Sequence, residues 1–242
     1  KGKIVAIGPS NSVIINKKRA QVYDITGKHV YPSLILPNTT LGLVEIDAVR
    51  ATRDHRESGE INPNVRSQPA YNIESIVVST VRTNGILLAQ VTPRGGLISG
   101  TSSIMQLDGW NWEDATYLED DGIHINWPED YNKNYWGHSH NFTSGSDSDP
   151  DDEHNEIRDH IDTLIQFFNE ARQYQTLSNK KPDLKLESLK KVLAGNQTLY
   201  IHVNSVVGMK ESVLFTKQNN IEKVVLVGAS ESWRITEFLV KN

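Results

Sequence analysis

The chain has 242 residues, 37% hydrophobic and 23% charged, which is enough for one large domain or a domain with an appendage and is ordinary for a globular protein. A net charge of -5 and a pI near 5.9 give no clustered basic footprint for nucleic acid. No apolar run approaches the ~18 residues of a membrane span, and the absence of Cys removes disulfides, thiolate nucleophiles and Cys-ligated zinc.

A soluble protein with neither nucleic acid nor membrane as partner follows, and zero Cys favours an exported, periplasmic setting over a cytoplasmic one. The opening Lys1-Gly2-Lys3 has no initiator Met and no signal peptide, so the natural N-terminus is expected to be missing or processed. Residues 3–8 read as a β-branched strand closed by Gly-Pro, and residues 19–31 offer short strands around the turn Thr26-Gly27-Lys28. Residues 33–37 form a short apolar strand of the kind buried on both faces of a parallel sheet, followed at once by polar Asn38-Thr39-Thr40.

Residues 72–83 have a helical pattern, Asn84-Gly85 a turn, and residues 86–91 a strand ending at Thr92-Pro93. Further strands are expected at 103–107 and 122–127, whereas 130–152, rich in Asn, Ser, Asp and Gly, reads as a long exposed insertion. Ile157, Ile161, Leu164, Ile165, Phe168 and Ala171 predict one amphipathic face on a helix over 153–175. A second helix spans 184–193 with a Gly195 stop, and strand 199–203, helix 209–218, strand 223–227 and helix 232–240 follow. This alternation predicts a parallel α/β architecture with right-handed crossovers. An open doubly wound sheet is the alternative, but no Gly-x-Gly-x-x-Gly follows the first strand.

The segment Gly27-Lys28-His29-Val30-Tyr31-Pro32-Ser33-Leu34-Ile35 resembles the junction at which amidohydrolase-superfamily proteins pass from a β-sandwich into the first barrel strand, and residues 1–8 resemble the preceding sandwich strand. Leu199-Tyr200-Ile201-His202-Val203-Asn204, and Val224-Val225-Leu226-Val227-Gly228-Ala229 with Glu231 and Trp233-Arg234-Ile235, resemble the fifth and sixth strands of imidazolonepropionase-like members. The resemblance implies an incomplete (β/α)8 TIM-type barrel of about six of the eight strands. Residues 1–32 would be a partial β-sandwich segment and 33–242 the partial barrel. It also implies a divalent metal at the C-terminal mouth, zinc in active members, that activates water against a non-peptide carbon–nitrogen bond.

The family's ligands fall on an altered set of positions. Asn38-Thr39-Thr40 stands where the first-strand His-x-His would be, and the neutral oxygens of Asn38 and Thr40 suit a hard cation better than zinc. The fourth-strand bridging ligand, commonly a carboxylated Lys, falls at His124 or Asn126. His202 matches the fifth-strand His, Val227 replaces the sixth-strand His, and the eighth-strand Asp would lie beyond Asn242. With His202 the one well-matched ligand, no metal cofactor is expected in this chain.

Several other signals compete. Arg94-Gly95-Gly96 and Gly100-Thr101-Ser102-Ser103 make a glycine- and hydroxyl-rich candidate substrate loop that would cradle an anionic group, set against a plain flexible loop. His138-Ser139-His140 is a literal His-x-His, but in the irregular insertion and not behind an apolar strand. The acidic run from Ser146 has Asp152 where a calcium loop needs Gly and Arg158 where it needs Glu, and reads as a solvated loop capping the next helix. Trp110, Trp112, Trp127 and Trp136 would line a pocket or anchor core and loops. The charges between Glu45 and Glu57 read as a salt-bridged surface. Asn38, Asn141 and Asn196 each begin a glycosylation sequon.

The resulting expectation is a divergent amidohydrolase-superfamily protein with little or no hydrolase activity of the family's kind, still able to take a small-molecule ligand. Its alternatives are an inactive barrel serving as structural or regulatory partner of an active sister barrel, and a longer protein holding one weak metal through His202, His124 and residues outside this chain. A six-stranded sheet exposes edges, so oligomerisation, or cover by missing barrel segments or a sister barrel, is expected as well.

Overall fold

The structure, a computed structural model, describes residues 3–9, 11–13, 16, 19–129, 150–179 and 181–242. It divides into two compact units, Lys1–Pro32 and Ser33–Asn242. In the first, the described residues form neither strand nor helix, contrary to the strands expected over 3–8 and 19–31. A strand needs a partner to receive its hydrogen bonds, and here Ile4, Val5, Ile7, Val22, Tyr23, Val30 and Tyr31 are all exposed instead of packed. The turn itself is made: Lys28 N–H donates to Ile25 O at 2.9 Å, with Gly27 at φ 76.

The second unit is built on one curled six-stranded sheet, half of a barrel, in the order β1 (Leu34–Thr39), β2 (Ile86–Val91), β3 (Ile98–Gln106), β4 (Thr116–Asn126), β5 (Thr198–Val203) and β6 (Val224–Gly228). The pairs β1–β2, β4–β5 and β5–β6 are parallel, and β3 runs against both of its neighbours. The parallel arrangement expected from the alternation therefore holds at β4–β5–β6 and fails at β3. Parallel neighbours need a crossover of about a dozen residues or more. Residues 92–97 join β2 to β3, and residues 107–115, with the short α2 (Trp112–Ala115), join β3 to β4, so both turn back as hairpins.

β3 begins at Ile98 and β4 at Thr116, well before the expected 103 and 122. Small hydroxyl residues hide this strand from a hydropathy pattern. Their polar atoms are satisfied by main-chain partners: Thr101 Oγ1 donates to Pro63 O, Ser102 Oγ donates to Gly122 O, and Ser103 Oγ accepts from Asp120 N–H. Such pairing is what makes buried hydroxyls tolerable.

The helices are α1 (Ile76–Thr83), α3 (Pro150–Thr176), α4 (Leu184–Ser188), α5 (Lys190–Leu193), α6 (Val206–Gln218) and α7 (Thr236–Lys241), the last preceded by a 3-10 turn at Ser232–Ile235. α1 starts later than residue 72 because Asn72 Oδ1 accepts from Glu74 N–H, a local turn that competes with helix, and Ser75 supplies the N-cap. Alternation along the strands sends Ile123, Ile125, Leu199, Ile201 and Val203 to one face, where they meet Leu164, Phe168 and Ala171 of α3 and Met209 and Phe215 of α6. Ile165, expected on the buried face of α3, is 37% exposed, while Phe167 and Tyr174 are buried. A second cluster packs Ala89, Val91 and Met105 of β2 and β3 against Val78 of α1, Tyr71 and Leu43. Among the described residues no helix is long and apolar enough to cross a membrane.

Candidate functional site

β1, β2, β4, β5 and β6 all run the same way, so their C-terminal ends share one edge of the sheet, the edge on which barrel folds build their sites. Period-two alternation that turns Ile123, Ile125, Leu199 and Ile201 towards the helices turns His124, Asn126, Tyr200 and His202 to the opposite, inner face. Register places His124 beside Tyr200, Asn126 beside His202, and His202 beside Val227.

A directed hydrogen-bond chain crosses three strands. Ser102 Oγ donates to Gly122 O, so it accepts from His124 Nε2, 2.9 Å away. That fixes the proton of neutral His124 on Nε2 and leaves Nδ1 as an acceptor. His202 Nε2 lies 2.9 Å from this Nδ1 and must be the donor, which leaves the lone pair of His202 on its own Nδ1. The His124 ring also stacks on Tyr200, with centroids 4.6 Å apart and planes 5° apart.

A second network reaches the same edge from β1. Arg94, just past β2, donates from Nη1 to Asn38 Oδ1 at 2.5 Å and from Nη2 to Asn38 O at 2.7 Å. Asn38 N–H donates to Gln90 Oε1, Gln90 Nε2 donates to Asp121 Oδ2 at 2.7 Å, and Tyr200 OH donates to the same oxygen at 2.8 Å. Asn38 adopts φ 48, a left-handed conformation that Asn tolerates better than most residues. Gly95 and Gly96 have φ 86 and 65, and a Cβ on Gly95 would meet the Arg56 side chain at 2.5 Å. These glycines serve close approach beside Arg94.

Charge and burial act together here. Burial, then the Arg94 charge, push His202 down to about 4. Burial, His202 and Arg94 hold His124, fully buried, well below the ordinary imidazole range. Both rings are neutral at pH 7, consistent with the tautomers derived above. Burial lowers Arg94 from its ordinary value without discharging it. Burial, reinforced by the hydrogen bond to Asp121, raises Tyr200 to about 12.

No family model matches the sequence, and no curated protein does. The structure is similar to the crystal structure of an amidohydrolase from Thermotoga maritima MSB8, with a TM-score of 0.72 and 13% identity over 91% of this chain. The fold is amidohydrolase-like. The match spans 59% of the Thermotoga protein, so the amidohydrolase-like half-barrel corresponds to little more than half of that chain.

An amidohydrolase-like barrel raises the question of a divalent metal, and the donors assembled here do not suit one. Both nitrogens of His124 and Nε2 of His202 are engaged in hydrogen bonds. Val227, in register with His202, has no donor atom, and Thr40 lies past β1 in a turn where its carbonyl accepts from Leu43 N–H. No group of three or more His, Cys, Asp or Glu able to hold a metal occurs among the described residues. The fixed charge of Arg94, felt by both histidines, opposes a second cation.

Of the positions singled out from the sequence, Asn38, Arg94, Ser102, His124 and His202 belong to these networks. Gly100, Thr101 and Ser102, expected as a loop, are buried in β3 ahead of Ser103, where the strand was expected to begin, because the Thr101 and Ser102 hydroxyls are paired there. The tryptophans do not share a pocket: Trp110 is exposed, Trp112 packs on the β2–β3 cluster and Trp127 on the β4–β5 cluster. Trp136, Asn141, His138-Ser139-His140 and the acidic run from Ser146 to Asp149 lie outside the described residues, whereas Pro150, Asp151 and Asp152, expected as the end of the loop, are the first residues of α3. Gln90, Asp121, Tyr200 and the structural part of Asn126, whose Nδ2 donates to Gly96 O, were not anticipated as site residues. Alternation within Leu-Tyr-Ile-His-Val marks Tyr200 as sharing a face with His202, and Gln90 is a lone polar residue in an apolar strand; Asp121 carries no comparable signal.

Proposed function

We propose that this chain is part of an imidazolonepropionase-like amidohydrolase barrel, related to hydrolases of non-peptide carbon–nitrogen bonds, whose metal centre has been replaced by a metal-free polar network. Its hydrolase activity is weak or nil, and the inner mouth serves ligand binding. One observation carries this reading: Arg94, anchored on Asn38, brings a permanent positive charge to a mouth whose two histidines are neutral and bonded to each other. A guanidinium there supplies the electrostatics of a cation without its Lewis acidity, so water at the mouth is not acidified towards neutrality.

Elemental analysis of the purified 242-residue chain, grown with added zinc, manganese and iron, tests it. The expected result is metal far below one ion per chain and no metal-dependent cleavage of cyclic amides. Stoichiometric metal that protects His202 from modification would overturn the reading.

A second reading, a structural or regulatory partner of an active sister barrel, is favoured by the sheet margins. Leu34 and Ile35 on β1 are 63% and 58% exposed, and Val225 on β6 is 42% exposed. Apolar edge strands invite pairing with another chain. Sedimentation velocity tests whether copies of this chain cover those edges: a strictly monomeric chain at high concentration rejects self-association and leaves a sister barrel as the cover.

A further inference from the structure

At the N-terminal end of β5, the end of the sheet opposite the mouth, a cleft of about 280 Å³ is walled by Asn64, Arg66, Asp120, Glu187, Lys191 and Gln197. Asp120 ties this wall together. Between the pairs Ser102–Gly122 and Ile104–Leu118, residues 119–121 of β4 bulge against the single Ser103, and Asp120 adopts φ 50. A bulge re-aims side chains. Asp120 Oδ1 accepts from Arg66 Nε at 2.6 Å, its Oδ2 lies 3.4 Å from Lys191 Nζ, and its main-chain O accepts from Gln197 Nε2 at 2.8 Å.

Two oxygens of the same wall are left unmatched. Gln197 is only 5% exposed, and its Oε1 makes no hydrogen bond among the described residues and is sealed from solvent; the same is true of Asn64 Oδ1. The other buried side-chain atoms in that position, His55 Nδ1 and Trp127 Nε1, belong to residues that do not line this cleft. A buried carbonyl oxygen without a donor is unfavourable, because its lost hydration is not replaced. Terminal amide torsions are soft, so a tilt of either amide turns its oxygen towards the cleft. Two such oxygens on one cleft call for N–H donors from outside the chain.

The charges select the kind of donor. Arg66 and Lys191 offset Asp120 and Glu187, so the lining has no net charge, and Asp120 is already paired with both cations. Glu119, 3.4 Å from Arg66, lies outside the lining. A charged ligand would upset that balance on losing its water. A primary carboxamide would not: its NH2 group brings two donors, and its carbonyl oxygen can accept from Lys191, which is 59% exposed and held to Asp120 only at 3.4 Å.

We propose that this cleft binds a small neutral ligand bearing a primary carboxamide or urea group, its N–H groups on Gln197 Oε1 and Asn64 Oδ1 and its carbonyl oxygen on Lys191 Nζ. The volume has room for roughly nine water-sized groups. The inference is independent of how the mouth at Arg94 and His202 is read.

The test follows the side-chain amide NMR signals of Gln197 and Asn64 in the full chain, titrated at neutral pH with acetamide, N,N-dimethylacetamide, acetate and methylammonium. The first two share a carbonyl but only acetamide donates, and the two ions carry one charge of each sign. Acetamide should shift both signals saturably, in the millimolar range expected of so small a ligand, and the other three should bind at least ~10-fold more weakly. Asn64→Leu and Gln197→Met, both close in volume, should each weaken acetamide about 3- to 10-fold. Asn64→Leu should also leave the thermal midpoint no lower, because it removes an unmatched acceptor.

An equal response to N,N-dimethylacetamide would show that no N–H group is read. Tighter binding of acetate or methylammonium would reassign the cleft to an ion. Either result, acetamide binding unchanged in either variant, or no saturable response at all would overturn the proposal.

Discussion

Between pH 6.5 and 4 the protein should lose about 3 kcal/mol of stability through His202 alone. In the unfolded chain this imidazole titrates near 6.5, and in the fold burial and Arg94 hold it down to about 4. Above 6.5 the ring is neutral in both states and the fold keeps its full stability. As pH falls through the window, the unfolded chain takes up a proton that the folded chain refuses, so stability drops, and below about 4 this contribution levels off. His124 and His55, whose pKa values are also lowered in the fold, act in the same direction. Against a total of about 5–15 kcal/mol for an ordinary domain, the loss is large. Urea unfolding followed by Trp fluorescence, repeated stepwise across the window, measures it. His202→Gln, whose amide can still donate to His124, should flatten the curve by roughly the His202 share. A midpoint independent of pH above 5, or an unchanged slope in that variant, would refute the assignment of a buried neutral pair.

Combining Asn38→His, Thr40→His and Val227→His should not restore tight zinc binding while Arg94 remains, and adding Arg94→Ala should improve it, as read by chelator competition; equal affinities would show that the arginine charge is irrelevant. Gly122→Ala should destabilise the fold by about 1–3 kcal/mol and disturb the Tyr200 ring signals, because the new methyl would fall on the Tyr200 ring and within 2.7 Å of Thr198 O. Phe168→Ala, which removes a fully buried ring standing at 84° to Phe215, should cost about 3–5 kcal/mol in chemical denaturation.

Much of the scaffold was legible because long-range burial writes periodic patterns. Ile-His-Ile-Asn and Leu-Tyr-Ile-His-Val gave their strands and their two faces, and Ile161, Leu164, Phe168 and Ala171 gave the buried stripe of α3. β3 was misread over its first half because Ser99, Thr101 and Ser102 are buried by hydrogen bonding and not by hydrophobicity. Its reversed direction is visible only in connection length. In the site, alternation along β5 marks Tyr200 and His202 as sharing one face, but their chemistry is not written there. The tautomers depend on which way the Ser102 hydroxyl points, a tertiary fact, and the charge that governs both rings comes from Arg94, 108 positions before His202 in the chain.

The reversed third strand also bears on the order in which the protein assembles. Hairpins β2–β3 and β3–β4 close over short stretches of chain, whereas β1–β2 closes over residues 40–85 and β4–β5 over residues 127–197. Closing a long loop loses more chain entropy, and sequence-distant pairings are slow. A meander of β2, β3 and β4 is thus suited to serve as the template onto which the outer strands dock, with Ser102 and His124 in place before His202 arrives. Pulse-labelling hydrogen exchange during refolding should accordingly protect the Met105 amide ahead of that of Ile201, and the reverse sequence would discard this folding route.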